Sequence, residues 1–419
     1  MSERPESKWA LRLDKFCAFS GALIPAATIA GNVAFESLVG LVGLGWIVRG
    51  ILSKENPVRP ILKHPLALPW LVWFFTIILS LLVNGPGAKG WGHDIAFFRY
   101  VLFGLALLDI SQRLPLHTYL LWGLVGGMIW AVVNMMSAYI FGHDLIGKPL
   151  IRYAEKMKEC GRIAGLAGYV GPFFLAWAMS DRKLSKLRRI VMIGIVTVCL
   201  VLLFQSHVRT MIIGSFAGMF FFFLYQSKKR MRNLVLSGIV GFTVACGAIY
   251  MDKGFGSLSS FYDRVYYWKV VWAMCLDNPI FGVGVSSFQD AYTDMATSGR
   301  IMPFEAPNGR IYELKTVMHA HNIVLMLLSS TGLLGLGAFS WLFVRALRLI
   351  YREPKEWRAG LITWPIIFVV IGLTGWNIFG NWYQVLFAYF LVLAGCSFYS
   401  LPVPLNPGIS SFDDRVDNV

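Results

Sequence analysis

The sequence predicts an all-α integral membrane protein with about twelve transmembrane helices. Hydrophobic residues make up 56% of the 419 residues and charged residues only 15%, and the mean hydropathy is +0.60. The apolar residues fall in runs long enough to cross a hydrocarbon layer, which takes roughly 20 helical residues. A soluble core of this size does not need so many runs of spanning length.

Twelve apolar runs are predicted to be membrane-spanning helices. In chain order they lie near 16–31, 34–51, 66–83, 94–110, 117–141, 162–180, 188–205, 210–226, 234–251, 321–346, 360–376 and 380–400. The first two are separated only by Gly31, Asn32 and Val33, which predicts a tight hairpin. Basic residues precede the first run as in a signal sequence, but no small-residue cleavage site follows, so this run is expected to remain in the membrane.

The distribution of lysine and arginine predicts that both termini are cytoplasmic. With that orientation, 24 of the 38 lysine and arginine residues lie in cytoplasmic segments and 14 lie outside, as the positive-inside rule requires. The formal net charge of +15 is then mostly a topological signal, and no basic stripe with interleaved aromatic residues indicates a nucleic-acid partner. The chain is thus predicted to have four parts: helices one to nine in 1–251, a large external loop in 252–320, helices ten to twelve in 321–400 and a cytoplasmic tail in 401–419.

The external loop between the ninth and tenth runs is expected to carry function, because loops longer than about 15 residues usually do so or are disordered. Apolar side chains recur in it at helical spacing, at Phe261, Val265, Trp268, Trp272 and Cys275. This predicts an amphipathic helix over 258–276 at the membrane interface, where tryptophan and tyrosine concentrate. Asn278-Pro279 then stops the helix, and 285–320 is expected to form a short helix plus irregular backbone.

Arginines at the external ends of predicted helices indicate an anion site. Arg99, Arg162 and Arg209 lie at or near the N-terminal, external end of a predicted helix. Helix N-termini carry unpaired N–H groups and partial positive charge, which suit phosphate oxygens, and guanidinium groups add bidentate geometry. We therefore predict a diphosphate site formed by these three arginines. For Arg264 on the interfacial helix, a pair with Asp263 or with lipid phosphate stays open. The alternative is that these side chains extend to lipid headgroups.

The sequence Met318-His319-Ala320-His321-Asn322 precedes the tenth predicted helix and is interpreted as carrying a catalytic base. Imidazole titrates near neutral pH, which suits His321 to general-base work. Side chains two apart on a helix do not face each other, and no third ligand has suitable spacing, so a metal ion is not expected at His319 and His321. A hydrogen-bonded structural role for a histidine there stays open. Asn322 is predicted either to orient the imidazole or to cap the helix.

Several chemistries are excluded by missing motifs. The sequence contains no Walker A segment, no Asp-x-Asp pair, no Gly-x-Ser-x-Gly elbow and no His-Glu-x-x-His, so nucleotide hydrolysis, metal–nucleotide-sugar binding and serine or zinc hydrolysis are not expected. No cofactor is predicted.

Motifs in the second half of the chain resemble bacterial O-antigen ligases. His321-Asn322 is followed after nine residues by Gly332-Leu333-Leu334-Gly335, as in the signature of these enzymes. The stretch from Phe204 through Arg209, and Asp277-Asn278-Pro279-Ile280-Phe281-Gly282-Val283-Gly284, resemble the region shared by O-antigen ligases and polymerases. The resemblance covers roughly 160–340, and the first five runs match in hydropathy alone.

The resemblance implies a GT-C-like lipid-linked glycosyltransferase in the bacterial inner membrane, with an active site under a large periplasmic loop. It implies transfer of a glycan from undecaprenyl diphosphate to lipid A–core oligosaccharide, with membrane lipid as the surrounding partner. His321 is then the catalytic base and Arg209 and Arg264 bind the donor phosphates. Arg162 matches less sharply, and Arg99 is supported only by its position. His319 and Asn322 complete the expected substrate-binding set.

Three alternatives remain open. An O-antigen polymerase uses the same donor but extends a glycan, and a protein O-oligosaccharyltransferase is the next alternative. A transporter or flippase for lipid-linked glycans belongs to another class, in which charges are expected along the helix interiors. Metal-independent transfer is predicted for the ligase, because arginines can neutralise the departing diphosphate.

Overall fold

Helices dominate the structure, as the apolar runs predict. The computed structural model describes residues 8–53, 58–87, 90–147, 158–206, 208–226, 259–305, 309, 311–312, 316–375 and 377–396. The predicted run 234–251 and the tail 401–419 lie outside these ranges. In chain order the helices are α1 (Lys8–Ala22), α2 (Ile24–Ala30), α3 (Asn32–Ser53), α4 (Val58–Leu62), α5 (Ala67–Asn84), α6 (Trp91–Ile95), α7 (Phe98–Ile110), α8 (Leu116–Phe141), α9 (Lys158–Ser180), α10 (Lys186–Gln205), α11 (Arg209–Gln226), α12 (Ser259–Asp277), α13 (Phe288–Thr297), α14 (Ile323–Arg352), α15 (Lys355–Leu361), α16 (Thr363–Thr374) and α17 (Asn381–Gly395).

Within the described residues, seven helical segments are long and apolar enough to cross a membrane, or eight if the bent pair α1 and α2 is one span. This pair is bent by 48°, and Pro25 lies at the start of α2, a position where its missing N–H costs nothing. The fourth predicted run is divided into the short helices α6 and α7. The structure therefore indicates a multi-pass, all-α membrane protein. The count of twelve, the GT-C-like architecture and the orientation stay predictions.

The long external segment contains more regular structure than the sequence predicts. Helix α12 begins and ends within one residue of the predicted 258–276. It packs on α14 and α13 through side chains that include Tyr266, Val270 and Met274, whereas Trp272, part of the predicted apolar stripe, is 52% exposed. After α13, strands β1 (Phe304–Glu305) and β2 (Ile311–Tyr312) form an antiparallel ribbon where irregular backbone was expected.

A buried network of charges joins α1, α3 and α7. Asp14, Arg49 and Asp109 are each at most 2% exposed. Arg113 Nε lies 2.8 Å from Asp14 Oδ2, and its Nη2 lies 2.8 Å from Asp109 Oδ2. Arg49 Nε lies 3.4 Å from Asp14 Oδ2. Because a buried charge is costly unless it is paired, two carboxylates and two guanidinium groups hold these helices together.

Helix α14 is interrupted at Gly332. This residue has φ +66° and ψ −166°, a combination open essentially to glycine alone. The interruption frees two carbonyl groups, and the glycine-rich turn after α12 supplies their donors. Val283 N donates to Ser329 O at 2.7 Å, and Gly284 N donates to Ser330 O at 3.0 Å.

The same turn also satisfies the amides that follow the interruption. Leu333 N donates to Pro279 O at 2.8 Å, and Leu334 N donates to Ile280 O at 3.4 Å. Residues 279–284 and 329–334 thus exchange four backbone hydrogen bonds; we call this the glycine joint. The two glycine-containing motifs of the sequence are therefore parts of one tertiary contact, and the joint lies one short helical segment after His321.

Helices α5 and α6 hold the glycine joint and the residue Ser286 just after it from the other side. Ser80 Oγ donates to Ser330 O at 2.9 Å, and Asn84 Nδ2 donates to Gly282 O at 3.0 Å. The fully buried Asp94 accepts from Ser286 Oγ at 3.0 Å through its Oδ2. The first third of the chain thus positions the turn that holds α14.

Candidate active site

His321 occupies a turn before α14 and has an unusual backbone. Its φ is +52°, and among the described residues it is the only non-glycine residue with a positive φ. Histidine adopts this left-handed region more readily than most residues, but the conformation is still disfavoured and is often found at functional sites. The next residue begins the helix: Asn322 Oδ1 accepts from Val324 N at 3.0 Å and from Leu325 N at 3.1 Å. Of the two roles predicted for Asn322, the structure shows the helix cap.

Helix α12 packs against the turn that contains His321. The Tyr267 ring stacks on the His321 ring, with 5.9 Å between centroids and 25° between planes. Trp268 Nε1 donates to the Ala320 carbonyl at 3.1 Å. His321 Nδ1 is buried and has no hydrogen-bond partner among the described residues. A structural histidine normally has its buried nitrogen paired, so this geometry favours a functional role.

The pKa of His321 is lowered from its ordinary value. Burial is the main cause, because it disfavours the charged imidazolium, and the positive charge of Arg264 adds to it. The backbone of Gly375, which follows α16, opposes the shift by favouring the protonated ring. The imidazole is therefore neutral at pH 7 and is able to accept a proton.

Arg264 and Arg209 lie close enough to repel each other. Burial is the first cause that lowers the pKa of Arg264, and the charge of Arg209 lowers it further, whereas Tyr267 opposes the shift. Arg264 makes no ion pair with a carboxylate within the part of the chain that the structure describes. Thr210, next to Arg209, borders Gly375: a β-carbon on that glycine would lie 3.3 Å from Thr210 Cγ2. The starts of α11 and α14, helix α12 and the end of α16 therefore meet around His321.

Arg162 lies in a different contact. Its Nη1 donates to the Thr28 carbonyl at 3.1 Å and its Nη2 to Asn32 Oδ1 at 2.6 Å, which ties α9 to the hairpin between α2 and α3. Tyr383, at the start of α17, lies near the charge of Arg162. A phosphate-binding role for Arg162 stays a prediction.

Arg99 is engaged by a carboxylate. Its Nε lies 2.5 Å from Glu36 Oε2 and its Nη2 lies 2.9 Å from Glu36 Oε1, a bidentate pair between α7 and α3. Tyr100 Oη donates to Glu36 Oε1 at 2.6 Å, and Arg99 Nη1 donates to the Ala96 carbonyl at 2.7 Å. A phosphate would have to displace Glu36, so the predicted role of Arg99 gains no support from this geometry.

His319 contacts His321, contrary to the spacing argument. Their ring centroids are 4.0 Å apart and the planes are 43° apart. The spacing argument fails because neither histidine lies in a helix, and the left-handed turn at His321 brings the rings together. Within the described ranges no three His, Cys, Asp or Glu side chains form a group suited to a metal ion.

Three contributors to this site were not predicted. Tyr267 could have been found, since it lies three residues after Arg264 on the same face of one helix. Trp268 was assigned only to the membrane interface, whereas it also anchors the backbone at Ala320. Gly375 has no local signal, because it approaches His321 only when α16 packs beside α11.

One segment of the chain matches a known family model. Residues 190–340 match the family model described as O-Antigen ligase. His321, Arg209, Arg264 and the glycine joint lie inside the matched segment, while Arg99 and Arg162 lie outside it. No curated protein matches the chain significantly. Proteins of this kind form a glycosyltransferase-like group of O-antigen ligases and polymerases, and residues 190–340 of the chain are similar to them.

Proposed function

We propose that the protein transfers a glycan from undecaprenyl diphosphate to lipid A–core oligosaccharide on the periplasmic face of the bacterial inner membrane. The observation that carries this proposal is the grouping of His321 with Arg264 and Arg209 inside the segment that matches the O-antigen ligase family. Two neighbouring guanidinium groups repel each other, and a bound diphosphate relieves that repulsion.

The proposed chemistry divides between these residues. Neutral His321 takes the proton from an acceptor sugar hydroxyl, and the oxygen attacks the anomeric carbon of the donor. The bond from that carbon to the diphosphate oxygen breaks on the opposite face, so the anomeric centre inverts and undecaprenyl diphosphate departs. Arg264 and Arg209 stabilise the charge that develops on the leaving group. Tyr267 holds the imidazole plane by stacking.

The experiment uses purified full-length protein with lipid-linked glycan and lipid A–core, in excess EDTA and without ATP. The wild type is expected to transfer glycan under these conditions, since arginines replace the metal. His321→Asn is expected to lower transfer by about 10²–10⁴-fold, the usual contribution of a general base, while donor binding remains. Asparagine is chosen because it tolerates the left-handed backbone better than alanine does. His319→Ala, the matched control, is expected to do less.

Two results would contradict the proposal. Near-normal transfer by His321→Asn would remove its assignment as the base. Transfer that returns only when magnesium or manganese is added would reject the arginine mechanism and direct attention to Asp263, the carboxylate beside Arg264 on α12.

Ligase and polymerase share the donor and are distinguished in cells. Deleting the gene of a ligase is expected to leave long-chain glycan on undecaprenyl diphosphate, because chains still grow but are not transferred. Deleting the gene of a polymerase leaves single repeat units. The lipid-linked glycans are extracted and sized, and accumulation of single units would replace our proposal with the polymerase alternative.

A further inference from the structure

A cavity lies at the opposite end of α14 from His321. Its volume is about 690 Å³, within the range of small-molecule sites. It is bordered by the start of α8, the end of α9, the end of α14 and the start of α15. After its interruption at Gly332, helix α14 runs on to Arg352 for about 20 residues, or about 30 Å at 1.5 Å per residue, and His321 lies a further helical segment before that interruption. This cavity is therefore separate from the proposed active site.

One wall of the cavity carries a buried carboxylate. Glu353, the residue that follows α14, lines the cavity and is 5% exposed. Its side chain has no hydrogen bond and no ion pair with the residues that the structure describes, and burial raises its pKa to about 7 in spite of the nearby Arg358 charge. A carboxylate in such a place gains from a ligand that brings N–H donors and positive charge.

The other walls of the cavity combine aromatic, basic and apolar side chains. Trp177 and Trp357 line the cavity edge to face, with 5.2 Å between centroids, and aromatic rings attract cations. Arg352, exposed at the last turn of α14, lines the cavity with a guanidinium group suited to phosphate. Leu349 adds apolar surface. Tryptophan and arginine at the end of a spanning helix are typical of the membrane–water interface.

We propose that this cavity binds the head group of an aminophospholipid, with the ammonium group on Glu353 and the phosphate against Arg352. The carboxylate and the guanidinium lie on adjacent residues, and an ethanolamine phosphate carries the complementary charges two carbons apart. The position at a membrane face favours a lipid over a soluble amine. An anionic lipid without an amine would leave Glu353 facing a phosphate, which is unfavourable.

The test measures lipid binding to the purified full-length protein in nanodiscs, by native mass spectrometry. The probes are phosphatidylethanolamine and phosphatidylglycerol with identical acyl chains. The wild type is expected to prefer phosphatidylethanolamine by about tenfold or more, roughly the effect of one charge-assisted hydrogen bond. Glu353→Gln, which is nearly isosteric, is expected to abolish this preference, whereas Glu356→Gln on α15, outside the cavity lining, is expected to keep it.

Arg352→Gln provides an independent variant, because this side chain is exposed and its replacement does not threaten folding. It is expected to weaken phosphatidylethanolamine binding several-fold. Soluble phosphoethanolamine tests the source of the head group and is expected to compete only at much higher concentration than the lipid. Equal binding of the two lipids by the wild type, an unchanged preference in Glu353→Gln, or soluble phosphoethanolamine that binds as tightly as the lipid would each overturn the proposal.

Discussion

The interruption of α14 offers the sharpest test of how this fold positions His321. Gly332→Ala places a β-carbon in a backbone conformation that costs an L-residue about 1–3 kcal/mol. That β-carbon would also overlap the Ile280 carbonyl, which is backbone and cannot rotate away. Moving residues 279–284 aside stretches the four hydrogen bonds of the glycine joint, and losing two of them at about 0.5–1.5 kcal/mol each costs about 1–3 kcal/mol. We therefore expect a destabilisation of roughly 2–6 kcal/mol.

A matched control lies on the same helix. A β-carbon at Gly337 meets nothing within 4 Å, and the residue has no positive φ. Gly337→Ala is therefore expected to be neutral or to stabilise the helix by about 0.5–1 kcal/mol. The assay is SDS-induced unfolding of the purified protein followed by tryptophan fluorescence, with glycan transfer measured in parallel.

In Gly332→Ala, we expect the rate of glycan transfer to fall by more than the loss of unfolding free energy alone would explain. The segment between His321 and Gly332 is held by the joint, and a displacement of about 1 Å at a reacting group can cost about 10²-fold in rate. If Gly332→Ala unfolds at the same SDS fraction as Gly337→Ala and transfers glycan equally well, the joint does not hold the His321 turn and the reasoning is wrong.

Three further predictions follow from the charged groups. Because His321 acts when neutral and its pKa is lowered, transfer is expected to be lost as pH falls through a midpoint below about 6.5. Arg264→Gln removes a positive charge and should raise the pKa of His321, which is followed by NMR of the labelled ring because this variant is not expected to use the donor; an unchanged pKa would contradict the contact. Alanine at Arg209 or Arg264 is expected to abolish donor use. Lysine at either position is expected to restore only part of it, because an ammonium group lacks the bidentate geometry of a guanidinium group. Wild-type kcat/KM in both alanine variants would instead indicate that these arginines contact lipid headgroups. Asp14→Asn removes a carboxylate that two guanidinium groups share in the buried network, and we expect it to lower the free energy of unfolding in SDS by about 3–5 kcal/mol. The control Asp294→Asn changes an exposed residue and should alter that free energy by no more than about 0.5 kcal/mol. Similar unfolding of the two variants would show that the network contributes little.

Patterns among neighbouring residues in the sequence were sufficient to predict the helices and to single out the candidate residues of the site. Hydropathy and helical spacing are properties of neighbouring residues, so the helices Arg209–Gln226 and Ser259–Asp277 lie close to their predicted bounds. His321 stood out because its motif is compact. Where local structure was misjudged the cause was also local: His319 and His321 were treated as helical, and a turn with positive φ was not foreseen.

The sequence by itself indicated a helical membrane protein with a segment similar to O-antigen ligases, and it supplied the side chains that we propose for the chemistry. Only the tertiary structure decided which of those side chains meet. Arg209, Arg264 and His321 come from three separate elements, and Arg99 instead pairs with Glu36, from another helix. The glycine joint has the same origin, since the hydrogen-bond partners of an interrupted helix are set by whichever backbone packs into the gap. Such partners depend on packing between distant segments, and neither periodicity nor charge along the chain encodes that directly.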